Sequence, residues 1–361
     1  MVNNVVIQVS SAVVTLKNAV IGSQKQKDSI IEQGVLARLI HLLVDPEIPS
    51  KIKTDVVYIL GSITNGSEAN IKSLNDVDVV NILLNGLVSA DPKLVCACLC
   101  CLQSLFQTKS PLPDVESQFE PAVLGNGSLH YQVIYSDPNI VPHLISLMGS
   151  TATHQIAVCS IITACCKTSD QQNILVTAGV LQALCAVLAS HVTAVQLAGL
   201  QCLAEVVYAN ENVAGMVMNT SYTGKALISL VIHFTGRENG VDIQLASGRI
   251  LTYLYRLMVL PETDSVIMFR VLPCLVRMCM KEETTANRIV AADTLAYLIE
   301  VRKIINLSRV FVMICVTRVV MGWHHFPANY TSLTLCASQA WLDCSVLQSW
   351  HYTLTCVEDH Y

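Results

Sequence analysis

The chain reads as all-α, a right-handed solenoid of about six helical repeats followed by an irregular C-terminal tail. Three observations predict this. Six segments carry apolar residues at helical spacing, and five gaps of 44, 61, 40, 43 and 48 residues separate their first residues. The apolar content is aliphatic and cysteine-rich, with 52% hydrophobic residues but only 6% aromatic. That balance suits helices better than a β-sandwich. A length of 361 residues is long for one compact core and right for two domains or one solenoid.

The repeated element is an anchor residue followed by apolar residues at +3, +4, +6 and +7. The +3/+4/+7 set is one face of a helix. Leu36 opens the first copy (LARLIHLL), and about twenty residues later Leu60 and Ile63 mark a second helix. Val80 opens the next (VNILLNGL), in which Gly86 is the one non-apolar residue among the 24 pattern positions. Asp91-Pro92 then supplies an N-cap and an N1 proline for a helix marked by Leu102 and Leu105. The copies at Val141 (VPHLISLM), Leu181 (LQALCAVL), Gly224 (GKALISLV) and Leu272 (LPCLVRMC) pair with Ile162/Cys165, Leu203/Val206, Leu251/Leu254 and Leu295/Leu298. Pro142 and Pro273 share the +1 offset, where a first helical turn has no internal acceptor for the missing N–H. The long gap of 61 places an inserted surface loop at Lys109–Asn139, rich in proline and glycine, that is either functional or mobile.

A period of 40–47 residues with two or three helices per unit is that of armadillo or HEAT repeats. No unit buries its apolar face alone, so neighbours stack. The expected product is a superhelix with an elongated groove lined mainly by the third helix of each unit. Such a shape suits protein binding and is a poor place for a catalytic constellation. Residues 1–300 form this predicted solenoid.

From Val301 onward the pattern stops. All three tryptophans and four of ten histidines fall in residues 301–361. Val301-Arg302 is what a splice-donor sequence would encode, so a translated intron or alternative final exon is one reading, and a native alternative terminus is the other.

Composition excludes several classes. Charged residues are 14%, against roughly 25% in ordinary globular chains, and the apolar content rules out a disordered chain. A formal net charge of −5 argues against a basic nucleic-acid binder. No stretch reaches the roughly 18 apolar residues of a membrane span. The 15 cysteines crowd into apolar segments, as at Cys96, Cys98, Cys100 and Cys101 or Cys165-Cys166. No leader of the secretory kind opens the chain, so they read as reduced, buried thiols in the cytoplasm or nucleus.

The sequence shows no recognisable catalytic constellation. The Cys96–Cys101 cluster lacks matching zinc ligands elsewhere, so core packing is the expectation. His324, His325, Cys336, Cys344, His351 and Cys356 have zinc-binding elements at irregular gaps. There is no P-loop and no nucleophile elbow. The Lys25-Gln26-Lys27 patch reads as a solvated helix end. No catalytic, cofactor-binding or metal residues are named, and no cofactor is expected. The slots that carry a Trp/Asn ladder in armadillo proteins binding nuclear-localisation peptides hold Tyr58, Cys100, Ser160, Gln201, Arg249 and Asp293, then Ser62, Ser104, Ala164, Glu205, Tyr253 and Tyr297. There is no ladder. Tyr253, Tyr297, Arg249 and Arg277 stand out as residue types enriched at protein interfaces, with ordinary surface as the default.

Two longer segments are more specific: LKNAVIGSQKQKDSIIEQGVLARLIHLL (16–43) and VLPCLVRMCMKEETTANRIVAADTLAYLIE (271–300). With LGS at Leu60–Ser62 and NIKSL at Asn70–Leu74, the chain resembles the armadillo-repeat subunits of the CTLH complex, the animal relative of the yeast glucose-induced degradation-deficient ubiquitin ligase. The resemblance spans about residues 10–300, and the tail has no counterpart in it, as in a truncated or alternative isoform. It implies a non-catalytic scaffold in an E3 ubiquitin ligase, in cytoplasm and nucleus. The implied partners are RanBPM-like and RING subunits, with no nucleic acid and no membrane. A generic armadillo adaptor in transport or cell junctions is the alternative.

Overall fold

The computed structural model describes residues 2–107, 129–255, 266–280 and 284–302. These fall into two compact units, one ending at residue 255 and the other holding 266–280 and 284–302.

The first unit opens with α1 (Val2–Val20) and continues as five three-helix repeats. The first repeat is α2 (Gln24–Glu32), α3 (Val35–Val44) and α4 (Ser50–Thr64), and the second is α5 (Glu68–Asp76), α6 (Val79–Gly86) and α7 (Pro92–Gln107). Then come α8 (Leu129–Ser136), α9 (Ile140–Leu147) and α10 (Ala152–Cys165), followed by α11 (Ser169–Thr177), α12 (Val180–Leu188) and α13 (Thr193–Val207). The fifth is α14 (Glu211–Asn219), α15 (Leu227–His233) and α16 (Val241–Leu254). Anchors fall on or just before the middle helix of each repeat, and landmark pairs fall on the third. All ten landmark residues of this unit are buried, nine of them at 0% exposure. Burying one leucine side chain contributes about 1.5–3 kcal/mol, so these pairs are the seam along which repeats stack. Each third helix packs on the next, from α1 through α4, α7, α10 and α13 to α16.

Several expectations change. The apolar pattern located two of the two or three helices expected per unit, and the structure adds a first helix that carries no strong apolar pattern. These short helices are started by polar caps: the side chains of Ser23, Ser67, Thr168 and Asn210 accept from backbone amides three residues on. The expected Lys109–Asn139 loop is helical over Leu129–Ser136, because Ile134 buries fully against the repeat. Residues 108–128 lie outside the described residues. Gly224 does not open a helix. It and Thr223 both have positive φ, at 79° and 49°, and turn a two-residue hairpin between β1 (Ser221–Tyr222) and β2 (Lys225–Ala226).

Asp91-Pro92 behaves as read: Pro92 is the first residue of α7, and Asp91 Oδ1 accepts from the Lys93 amide at 2.9 Å. The Lys25-Gln26-Lys27 patch does not. Lys25 is exposed, but Lys27 is buried and its Nζ donates to the Asn65 carbonyl at 3.3 Å.

In the second unit a π-helical turn, Ile267–Val271, runs directly into α17 (Leu272–Met280), which packs on α18 (Thr285–Arg302). Pro273 is therefore not in a first turn, as expected, but follows a continuous helical segment. It lacks the N–H that an α-ladder needs there, and the ladder widens just before it. Leu275, Met278, Ala291, Leu295 and Leu298 form its buried side. The helix continues two residues past the predicted break at Glu300. The rest of the tail, with its tryptophans and the His/Cys set, lies outside the described residues.

Among the described residues no single helix is long and apolar enough to cross a membrane. The pair α11–α12 passes by composition only, is bent by 76°, and buries Leu175 and Leu184 in the repeat core.

Candidate functional site

The third helices have a second face. The twelve slots examined for a peptide-binding ladder are all half-buried or exposed, whereas the landmark residues beside them are all buried. Helical spacing explains the split: residues two before and two after a buried position point away from it. In the first unit this produces a stripe of non-core side chains crossing α4, α7, α10, α13 and α16.

The C-terminal part of that stripe is the most organised. Arg249 Nη2 donates to Glu205 Oε1 at 3.1 Å, joining α16 to α13. Arg249 Nε and Nη2 each approach the Tyr253 hydroxyl at 3.4 Å, with the guanidinium 5.8 Å from that ring's centre. Tyr208 meets Tyr253 edge-on, ring centres 5.0 Å apart. Burial alone would lower the guanidinium's pKa, but Tyr253 and Glu205 outweigh it and hold it above the ordinary arginine value. Burial raises the Tyr253 phenol, so it stays neutral. Of the four residues singled out in sequence, Arg249 and Tyr253 come together here. Tyr297 and Arg277 belong to the second unit, where Arg277 Nη2 lies 3.7 Å from Cys274 Sγ.

At the other end Lys17 of α1 forms an ion pair with Asp55 of α4 and sits 5.9 Å from the Tyr58 ring centre. Sequence reasoning missed Lys17 and Asp55, because α1 lies outside the repeated pattern. Tyr208 was missed too; its 45-residue separation from Tyr253, close to the repeat length, was the available signal. Between the two ends the stripe is neutral, with Gln103 Nε2 donating to Ser160 Oγ at 3.2 Å.

The thiols sort by the same two faces. Cys98 and Cys101 are buried, and Cys96 and Cys100 are half-buried on the stripe. Burial pushes Cys98 up to about 12 and Cys100 up to about 11, and raises Cys101 as well. Protonated thiols are weak nucleophiles and weak metal ligands. Among the described residues, no three His, Cys, Asp or Glu side chains gather as a metal ion would need. The arrangement offers hydrogen bonds, rings and paired charges along an extended surface.

No family model matches the sequence. Over 293 residues the chain is 35% identical to armadillo repeat-containing protein 8 of Mus musculus, covering 81% of this chain and 41% of that protein. The Danio rerio protein of the same name is 34% identical over 292 residues, with the same coverage. This chain therefore spans about two fifths of the length of the curated relatives it matches. Among solved structures, a designed armadillo repeat protein in complex with the peptide (KR)4 superposes with a TM-score of 0.53 at 16% identity, covering 68% of this chain and 92% of its own. Computationally designed armadillo repeat proteins for modular peptide recognition give 0.54 at 16% identity, covering 67% and 92%. The fold is an all-α armadillo solenoid, and the chain is homologous to armadillo repeat-containing protein 8 over four fifths of its length.

Proposed function

We propose that the chain is a non-catalytic scaffold subunit of a CTLH-type E3 ubiquitin ligase complex, supporting ubiquitin-dependent proteasomal degradation by binding proteins. The observation that carries the reading is the 293-residue homology to armadillo repeat-containing protein 8. The coarser role, a protein-binding repeat scaffold, rests on fold and homology together. The non-core stripe of the third helices supports it: an armadillo groove binds through that surface, and here it carries exposed Tyr58 and Gln201 and half-buried Arg249 and Tyr253. The partners in this reading are RanBPM-like and RING subunits. The place of action in this reading is cytoplasm and nucleus.

Affinity purification of the tagged full chain from cells, with partners identified by mass spectrometry, tests this. RanBPM-like and RING subunits in stoichiometric amounts are the expected result, weakened when Tyr58 and Arg249 are replaced by alanine. Recovery of junction or transport proteins instead, or of chaperones only, would overturn it.

A further inference from the structure

Of the six anchor helices, α6 is one side chain short. Its +6 slot is Gly86, where the others hold Leu42, Leu147, Val187, Leu230 and Met278. A cavity of about 520 Å³ opens at this place, where the ends of α3 and α6 meet the first turns of α4 and α7. That volume lies within the range of about 300–1,000 Å³ typical of binding sites. Its floor includes Gly86 and Cys98, close enough that a β-carbon added at Gly86 would lie 2.7 Å from the Cys98 sulfur. Val44, the last residue of α3, and Val88, in the turn after α6, stand on the rim. They are 62% and 77% exposed, the latter the highest value among the large exposed hydrophobic residues.

Charge gives the hollow a polarity. Lys53 lines it, and Lys51 and Lys93 occupy the second positions of α4 and α7. Neither helix has an acidic residue in its first turn. Among the described residues none of these three ammonium groups forms an ion pair. The neighbouring carboxylates Asp45 and Asp91 are turned to the amides of Glu47 and Lys93, at 2.9 Å each. Cations at the positive end of a helix dipole are unfavourable; the Asp91 carboxylate offsets this at the start of α7, whereas α4 begins after Pro49 with no side-chain cap.

We propose that this hollow docks a short acidic-apolar segment of a partner protein. One bulky aliphatic or aromatic side chain seats over Gly86 between Val44 and Val88, and flanking Asp or Glu residues pair with Lys53 and its neighbours. The site is separate from the stripe of the third helices and stands or falls independently of the ligase reading.

A random dodecapeptide phage library, selected on the full chain and counter-selected on a Val44→Asp/Val88→Asp variant, tests it. Both valines are exposed, so the variant keeps the wild-type melting temperature, and that is checked first. The expected consensus is a bulky apolar residue next to Asp or Glu. Its fluorescein-labelled peptide binds Lys53→Glu about tenfold more weakly, loses affinity as salt rises, and is unaffected by Arg249→Ala. Failure to enrich any peptide, equal binding to the double variant, or a consensus without acidic residues would overturn the proposal. So would a wild-type dimer by light scattering that Val88→Asp dissolves, since the occupant would then be a second copy.

Discussion

The two ends of the third-helix stripe hold a cation by the same means but in opposite order. Toward the N-terminus, Lys17 on α1 reaches forward to Asp55 on α4, beside the ring of Tyr58. Toward the C-terminal end of the first unit, Arg249 on α16 reaches back to Glu205 on α13, beside the ring of Tyr253. Enclosure differs: the side chains of Lys17 and Asp55 are 24% and 12% exposed, those of Arg249 and Glu205 20% and 25%. The number of acceptors differs as well. An ammonium is a compact charge, and Asp55 is the one acceptor seen for Lys17. The planar guanidinium of Arg249 is shared between Glu205 and the Tyr253 hydroxyl. Both pairs cancel their own charge, so a chain lying along the stripe meets polarity without a net field from either end. The lysine end depends on one carboxylate; the arginine end has a second acceptor in reserve.

The scale for breaking either end comes from the core they share. Leu203 is at 0% exposure on α13, directly beneath the stripe. Leu203→Ala is expected to cost about 2–5 kcal/mol in a urea titration, more than any change at the ends. Asp55→Ala comes next. It leaves a mostly covered ammonium without its partner, and the expected loss is about 2 kcal/mol after allowing for partial solvent access. Glu205→Ala should cost less, about 1 kcal/mol, because Arg249 keeps the tyrosine hydroxyl. The order of these two is the sharp point: equal losses would mean that Tyr253 contributes nothing as a second acceptor. Arg249→Lys removes the fork but keeps the charge. It should lower stability by less than Glu205→Ala while abolishing the ring contact seen with Tyr253.

The smallest effect lies between the ends and depends on pH. His154, near the start of α10, is 7% exposed, and its Nδ1 has no hydrogen-bond partner. Burial lowers its pKa below the ordinary value of 6.5. Below that value the unfolded chain takes up a proton that the folded chain resists. Stability is therefore full above 6.5 and falls as pH drops toward the folded value. Denaturation midpoints at about pH 7.5 and 5.5 should show a loss in the wild type that His154→Gln reduces. Identical pH dependence in both proteins would assign the loss to other groups.

Much of the fold was legible because burial leaves a period. The landmark pairs and the slots beside them fell on opposite faces of the third helices as their spacing required. The first helices were not legible in the same way. EANIKSLND and SDQQNILVT bury few residues, and their signal is local: Ser67 and Thr168 at the caps, with Ser23 and Asn210 in the matching places. Reading those caps at repeat spacing would have found α2, α5, α11 and α14. At the candidate site the slot residues were identifiable one by one. Their pairing was not, since Arg249 meets a carboxylate 44 residues away.

The sequence by itself determined which residues each repeat must bury, and so where the third helices lie and which side they leave to solvent. Hydrophobic burial is non-directional and scales with area, so any aliphatic residue at the right period records it. Only the tertiary structure decided how the ends of those helices are satisfied. The carbonyls ending α4, α10 and α13 accept from Lys27, Tyr135 and Gln172, three unlike side chains reached from the first helix of the same repeat. A hydrogen bond needs a donor at one distance and angle, and any side chain long enough can supply it. Such partners leave no common residue and no period in the chain, and they come into being when the repeat closes.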